Sequence, residues 1–250
     1  MTSRTALEAS IRATVRELGD SRARPNRPWL SGVLGIPPRH LDRWLAEISG
    51  LSPLERALRR AHAEGGRRFY AQFRAPLELY VMTRASRPDH IIETGVSSGV
   101  SSAHFLAALR RNRGGKLHSV DRPAVQAGPT LSTGESAVSV PPGRSSGWAI
   151  PVSYKTGWDL RLGLSQDRLP PLVKEISAVD IFLHDSLHTP THLKFELETI
   201  RPKLHPGSIV MADNTKWTGE AFPRFARSLG AKVWRRGDSD LVGLRVPEPL

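Results

Sequence analysis

The chain has 250 residues, 39% of them hydrophobic, with 36 Lys and Arg against 24 Asp and Glu, a formal charge of +12 at neutral pH, and no cysteine. This length and apolar content suffice for a normal buried core, while the lack of cysteine excludes disulfides, thiolate metal sites and cysteine nucleophiles. The excess charge would attract polyanions, but residues 1–90 carry +7 of it and residues 91–250 carry +5, with only short clusters such as Arg59-Arg60 and Arg235-Arg236, so nucleic acid is not the favoured partner.

The first residues, MTSRTALEAS, lack the basic start and apolar stretch of a secretory signal. No apolar run approaches the ~20 residues of a membrane helix, so a cytoplasmic chain with no membrane partner is expected. Residues 1–85 read as helical and form an N-terminal extension or cap, with 86–250 as the main domain. Leu7, Ile11, Val15 and Leu18 recur at helical spacing, as do Leu41, Trp44, Leu45 and Ile48, whereas residues 22–38 carry the prolines and glycines of a connector. Ser52 is placed to cap a third helix, with Pro53 at its first position and Glu55 where a capping-box acid reaches back. A fourth segment bears Phe69, Phe73, Leu77, Tyr80 and Val81.

From residue 90 short apolar runs alternate with helices, the pattern of a parallel sheet covered on both faces. Strands are expected at 90–94, 116–121, 152–155, 179–184 and 208–213, with helices at 101–111, 190–201 and 219–229. Two last β segments, 231–236 and 241–246, flank Gly237-Asp238-Ser239-Asp240 and read as a terminal hairpin. The fold class is therefore α/β: a doubly wound, Rossmann-like, mostly parallel sheet closed by an antiparallel C-terminal hairpin strand. Residues 122–151 are rich in Gly, Ser and Pro and have no periodicity, and they follow the second strand. Ligands of open α/β sheets bind outside the carboxyl ends of the strands, so this segment reads as a lid.

The first strand ends in Glu93-Thr94-Gly95-Val96-Ser97-Ser98-Gly99-Val100-Ser101. Its G-x-x-x-G spacing has Ser97 where a dinucleotide fingerprint has its second glycine, and no Gly-Lys-Ser/Thr follows to make a P-loop. Gly95-Val96-Ser97-Ser98-Gly99 also spells a hydrolase nucleophile elbow, but no histidine follows His205 to complete a triad in the required order. A fourth reading is methyl transfer, in which an acid precedes the first glycine by two residues and Asp121, ending the second strand, accepts both hydroxyls of a ribose; Rossmann dehydrogenases also place an acid there. Asp185, Asp213 and Asn214 offer hard oxygens from two further strand ends, which suits Mg²⁺ or another divalent cation. His184, His188 and His192 fall at i, i+4 and i+8, but a zinc site at that spacing needs a helix and His184 reads as the end of a strand. Trp217 and Trp148 could wall a substrate pocket.

From about residue 72 to residue 246 these motifs resemble the class I S-adenosylmethionine-dependent methyltransferases, and more narrowly the catechol O-methyltransferase-like and related bacterial small-molecule O-methyltransferases. Glu93-x-Gly95-x-Ser97-x-Gly99-x-Ser101 is similar to their first motif, Gly163-Leu164-Ser165-Gln166-Asp167 to the segment bordering the adenine, and Phe182-Leu183-His184-Asp185 with Met211-Ala212-Asp213-Asn214 to the two metal-holding strand ends. The resemblance implies transfer of a methyl group from S-adenosyl-L-methionine to a small-molecule hydroxyl. It places the cofactor on Glu93, Gly95, Ser97, Ser101, Asp121, Ser165, Gln166 and Asp185, and a divalent cation on Asp185, Asp213 and Asn214. His188 stands where the catechol enzymes carry a lysine general base, so His188 and Asp185 are the expected catalytic pair, and the change of base leaves the acceptor open. Two alternatives remain at this point: a metal-independent methyltransferase of RNA or another anionic macromolecule, and a catalytically inert binding module of the same fold. Homo-oligomer formation is also left open.

Overall fold

A computed structural model describes Thr5 and residues 25–66, 73–122 and 140–248. The expected helix on Leu7, Ile11, Val15 and Leu18, the position of Phe69 and residues 123–139 of the expected lid lie outside the described residues.

The described residues from 25 to 86 form short helices, and they depart from the sequence expectation at two points. The supposed connector contains helix α1 (Arg27–Leu34): Asn26 caps it by accepting from the Trp29 amide at 3.0 Å, a proline occupies its first turn, and Gly35 ends it at φ 68°. The prolines and glycines that suggested a connector are thus the start and stop of a short helix. Helix α2 (Asp42–Leu45), flanked by 3₁₀ turns, buries Leu41, Trp44, Leu45 and Ile48. Helix α3 (Ser52–Gly65) follows, but Ser52 is not its cap. Its hydroxyl donates to the Ser49 carbonyl at 3.0 Å, and Glu55 turns away from the helix start to meet His104 at 2.5 Å. Helix α4 (Pro76–Ser86) leads into the sheet.

The α/β part runs β1 (His90–Thr94), α5 (Val100–Asn112), β2 (Lys116–Asp121), β3 (Trp158–Leu162), α6 (Ser165–Glu175), β4 (Ile181–His184), α7 (Pro190–Ile200), β5 (Ile209–Ala212), α8 (Ala221–Ser228), β6 (Trp234–Arg235) and β7 (Val242–Arg245). The seven strands lie in the order β3-β2-β1-β4-β5-β7-β6. β1 to β5 are parallel, and β7 pairs antiparallel with both β5 and β6. The third strand is displaced from the expected position: residues 152–154 form a 3₁₀ turn, with Val152 84% exposed. The observed β3 is an edge strand that alternates apolar Trp158, Leu160 and Leu162 with Asp159 and Arg161, so no continuous apolar run announced it.

Alternation along the strands divides the core in two. Ile91, Leu117, Ile181, Leu183 and Met211 pack with α1 to α5 in one cluster, and Ile92, Val120, Phe182, Val210 and Val242 pack with α6 to α8 in the other. The strand order reverses beside β1, between β2 and β4, the position at which open α/β sheets form a ligand crevice outside the carboxyl ends of their strands. No helix among the described residues is long and apolar enough to cross a membrane.

Candidate active site

The turn leaving β1 is built on glycine for a steric reason. Gly95 has φ 86°, and a Cβ there would lie 1.9 Å from the Asp185 carbonyl oxygen, so only glycine lets the turn pass over the end of β4. Ser97 adopts φ 49°, uncommon for a residue with a side chain, and its amide donates to Asp121 Oδ2 at 3.3 Å.

Glu93 is fully buried. Its carboxylate accepts from the hydroxyls of Ser101, Ser102 at 2.5 Å and Ser119 at 2.9 Å, and Ser119 accepts in turn from the Trp158 indole at 2.9 Å. Burial pushes its pKa up to about 7, against the three serines and with the help of Asp121. Glu93 thereby ties the start of α5 to β1 and β2. Asp121, at the end of β2, is also pushed up by burial, while the Ser146 hydroxyl donates to its Oδ2. Ser146 belongs to the described end of the expected lid, which is anchored to the turn by Gly147 N donating to Ser97 O at 2.8 Å and Ala149 N to Ser98 O at 3.1 Å. Ser165 opens α6 and is buried; Gln166 donates through Nε2 to His192 Nδ1 at 3.3 Å.

The second half of the crevice lies across β4 and β5. Asp185 follows β4, with its amide on the Thr94 carbonyl at 2.9 Å, and Asp213 follows β5, with its amide on the His184 carbonyl at 2.9 Å. Burial raises the pKa of Asp185, His188 opposes this, and Asp213 adds to it by repulsion. Asp213 is raised by burial and by Asp240, against the Asn214 amide, His188 and Arg74. His188 Nε2 stands 3.5 Å from Asp185 Oδ1, and Asn214, at φ 51°, brings its Nδ2 to 3.4 Å from His188 Nδ1. The Trp217 ring lies 6.0 Å from the His188 ring and carries Lys216 over its face at 4.4 Å. Trp148 is buried elsewhere, edge-on to His62 and over Gly65 of α3, between the lid segment and the helical cap.

The structure thus brings Glu93, Gly95, Ser97, Ser101 and Asp121 together on one side of the crevice. It brings Asp185, His188, Asp213, Asn214 and Trp217 together on the other, with the Gly95 turn resting on Asp185. The His184 ring lies 5.5 Å from that of His188 and 6.2 Å from that of His192, but His184 and His192 each turn a ring nitrogen to Glu196 of α7, at 2.7 and 2.9 Å, rather than toward a shared metal position with His188. Among the described residues, no group of three or more His, Asp or Glu side chains is drawn together as a metal site. The set that a cation could use is therefore short: two carboxylates and one amide oxygen, with any remaining positions left to water or substrate. A cavity of about 520 Å³ between α7 and α8, lined by Lys194, Leu197, Glu220 and Phe225 among others, contains none of these residues.

Sequence reasoning missed Ser102, Ser119, Ser146 and Glu196. For Ser102 and Ser119 a signal existed, since both stand within reach of a carboxylate fixed at a strand end, one in the first turn of the following helix and one on the neighbouring strand.

Residues 92–215 match the sequence model of a family described as a methyltransferase domain. No curated protein matches the chain. Among solved structures it is similar to an SAH-bound methyltransferase of Podospora anserina (15% identity, 77% of this chain and 88% of that one, TM-score 0.53). It is also similar to an O-methyltransferase of Bacillus cereus in complex with SAH (14%, 82% and 99%, 0.52). A third is the O-methyltransferase TomG of Streptomyces achromogenes, involved in tomaymycin synthesis and in complex with SAM (17%, 84% and 99%, 0.53). At these identities the likeness is one of fold, and the sequence match supplies the family. By that match, residues 92–215 of the α/β part form a methyltransferase domain.

Proposed function

We propose that this enzyme transfers the methyl group of S-adenosyl-L-methionine to a hydroxyl oxygen of a small molecule. The observation that carries the reading is the convergence of Asp185, His188, Asp213 and Asn214 beside the turn at Gly95. The O-methyltransferases of similar fold, one in complex with SAM, support it.

On the donor side, Asp121 would accept the ribose hydroxyls, with Ser146 giving way. Gly95 and Ser97 would let the backbone approach the cofactor, Glu93 and Ser101 would hold that turn, Asp185 would touch the amino group, and Ser165 and Gln166 would border the adenine. On the acceptor side, Asp185, Asp213 and the Asn214 amide oxygen would hold a divalent cation. Two carboxylates raised by burial and by neighbouring acids fit such a charge. A cation held there would supply the charge that lowers the pKa of the acceptor hydroxyl. Trp217 would wall the acceptor pocket beside His188, whereas Trp148, buried against His62 and Gly65, would not line it.

The role of His188 depends on the Asn214 amide. With Nδ2 donating to His188 Nδ1, a neutral ring keeps its proton on Nε2 toward Asp185, and the amide oxygen stays available to a cation. Turned by half a rotation, the amide would hold Nδ1–H and leave Nε2 to take the acceptor's proton, with Asp185 stabilising the imidazolium. The observed contact favours the cation reading, and the base reading is its metal-independent alternative.

Titration calorimetry with S-adenosylhomocysteine and methyl transfer from labelled S-adenosylmethionine to a panel of phenols, sugars and tRNA, in Mg²⁺ or EDTA, test the proposal. Asp121→Ala is expected to weaken cofactor binding at least about tenfold, and Asp213→Ala to remove Mg²⁺-dependent turnover. Full turnover in EDTA, lost in His188→Ala, would replace the cation by the base. Salt-sensitive methylation of tRNA alone would move the acceptor to nucleic acid, and no binding of either cofactor form would end the reading.

A further inference from the structure

Glu196 lies on α7, outside both halves of the crevice, and is completely buried. Each of its oxygens accepts two hydrogen bonds. Oε2 accepts from Thr94 Oγ1 and His184 Nδ1, both at 2.7 Å, and Oε1 accepts from His192 Nε2 at 2.9 Å and Ser186 Oγ at 3.0 Å. Four accepted bonds saturate a carboxylate, and no other side chain type offers that capacity. Burying a carboxylate is costly even when paired, and apolar packing of α7 on the sheet would not need it.

The partners indicate what the charge does. Thr94 and His184 are the last residues of β1 and β4, and their carbonyls accept the amides of Asp185 and Asp213, each at 2.9 Å. Ser186 is the residue after Asp185, so Glu196 grips the chain on both sides of that acid. His192, the fourth partner, accepts from Gln166. Every bond of Glu196 ends on a residue that adjoins or supports a group of the crevice.

We propose that Glu196 is a positioning residue: a buried carboxylate that fixes the ends of β1 and β4, whose carbonyls hold the Asp185 and Asp213 amides, and through them the acceptor half of the site. The proposal rests on the reading of those two acids as the acceptor side, but its structural content can be tested without an acceptor.

In Glu196→Gln one oxygen becomes a donor, so two of the four partners lose their acceptor. Residue-resolved amide hydrogen exchange on the full chain should then show the Asp185 and Asp213 amides exchanging at least about tenfold faster, with Ile92 and Leu183, inside β1 and β4, within about threefold of wild type. With any panel acceptor that wild type methylates, kcat should fall at least about tenfold while affinity for S-adenosylhomocysteine changes less than about threefold. Uniform acceleration of all strand amides would make Glu196 a plain core residue and overturn the proposal. So would unchanged exchange at the two acids, or an unchanged kcat. If wild type methylates nothing in the panel, the proposed function fails while the exchange pattern still decides this point. Should Glu196→Gln not fold, Thr94→Val removes one of the four bonds, and the same selective pattern, smaller in size, is required.

Discussion

At the scale of single residues, the tightest constraint in the crevice is at Gly95, where a positive φ and the nearby Asp185 carbonyl act together. A left-handed conformation costs a residue with a Cβ roughly 1–2 kcal/mol, and the overlap adds to this. Gly95→Ala is expected to lose more than about 3 kcal/mol of stability, read from urea denaturation; a loss under 1 kcal/mol would mean that the turn can retreat from β4. The acids of the crevice were legible in the sequence because Glu93, Asp121, Asp185 and Asp213 each end or follow an apolar run, and that position fixes where they go in a parallel sheet. Ser146 and Glu196 were not. Ser146 reaches Asp121 from an aperiodic segment 25 residues on, and Glu196, between Phe195 and Leu197 and near Lys194 and Glu198, reads as one more helix-surface charge until its four partners are seen.

At the scale of elements, α3 is tied to α5 by Glu55 and His104 rather than capped by Ser52. Burial pulls the His104 pKa down, but the Glu55 charge and hydrogen bond outweigh it and leave it above its ordinary 6.5. Burial pushes Glu55 up, and His104 outweighs this to leave it below its ordinary 4.5. The raised histidine contributes stability that is complete below pH 6.5 and is lost as pH rises through its folded value. The lowered glutamate contributes stability that is present above pH 4.5 and is lost as pH falls. The stability difference between wild type and Glu55→Gln should therefore be largest between pH 4.5 and 6.5 and shrink toward pH 9; denaturant midpoints across that range check it, and a difference that grows with pH would refute it. Elements were legible where packing follows a simple period, as in β1, β2, β4, β5 and α7. They were hidden where local chemistry misleads: α1 behind its prolines, α6 behind Pro170 and Pro171 inside the helix, and β3 behind the polar half of an edge strand. In α6 the burial of Leu169, Leu172 and Val173 outweighs the backbone bonds the prolines forgo.

At the scale of the molecule, the helical cap is joined to the last strands by a buried ion pair. Arg236 Nε donates to Glu78 Oε1 at 2.8 Å, and both side chains are almost fully enclosed. Burial still leaves the Glu78 pKa above its ordinary value despite Arg236, so the pair is costly to the fold. Arg236→Leu alone is expected to cost about 3–5 kcal/mol, because it strands a buried carboxylate, and Glu78→Leu with Arg236→Leu to recover most of that loss. A double variant no better than the single one, in the same denaturation measurement, would show that the charges themselves hold the cap. Around this pair Asn26 Nδ2 donates to the Arg236 carbonyl at 2.6 Å, the Trp29 indole donates to the Trp234 carbonyl at 3.0 Å, and Trp234 fills the space beside Gly32. These contacts span about 200 residues of sequence. A ribosome delivers α1 long before the strands that clasp it, so Trp29 and its neighbours wait without their final partners until translation is nearly done, and a nascent chain stalled before residue 234 should present that greasy surface to chaperones.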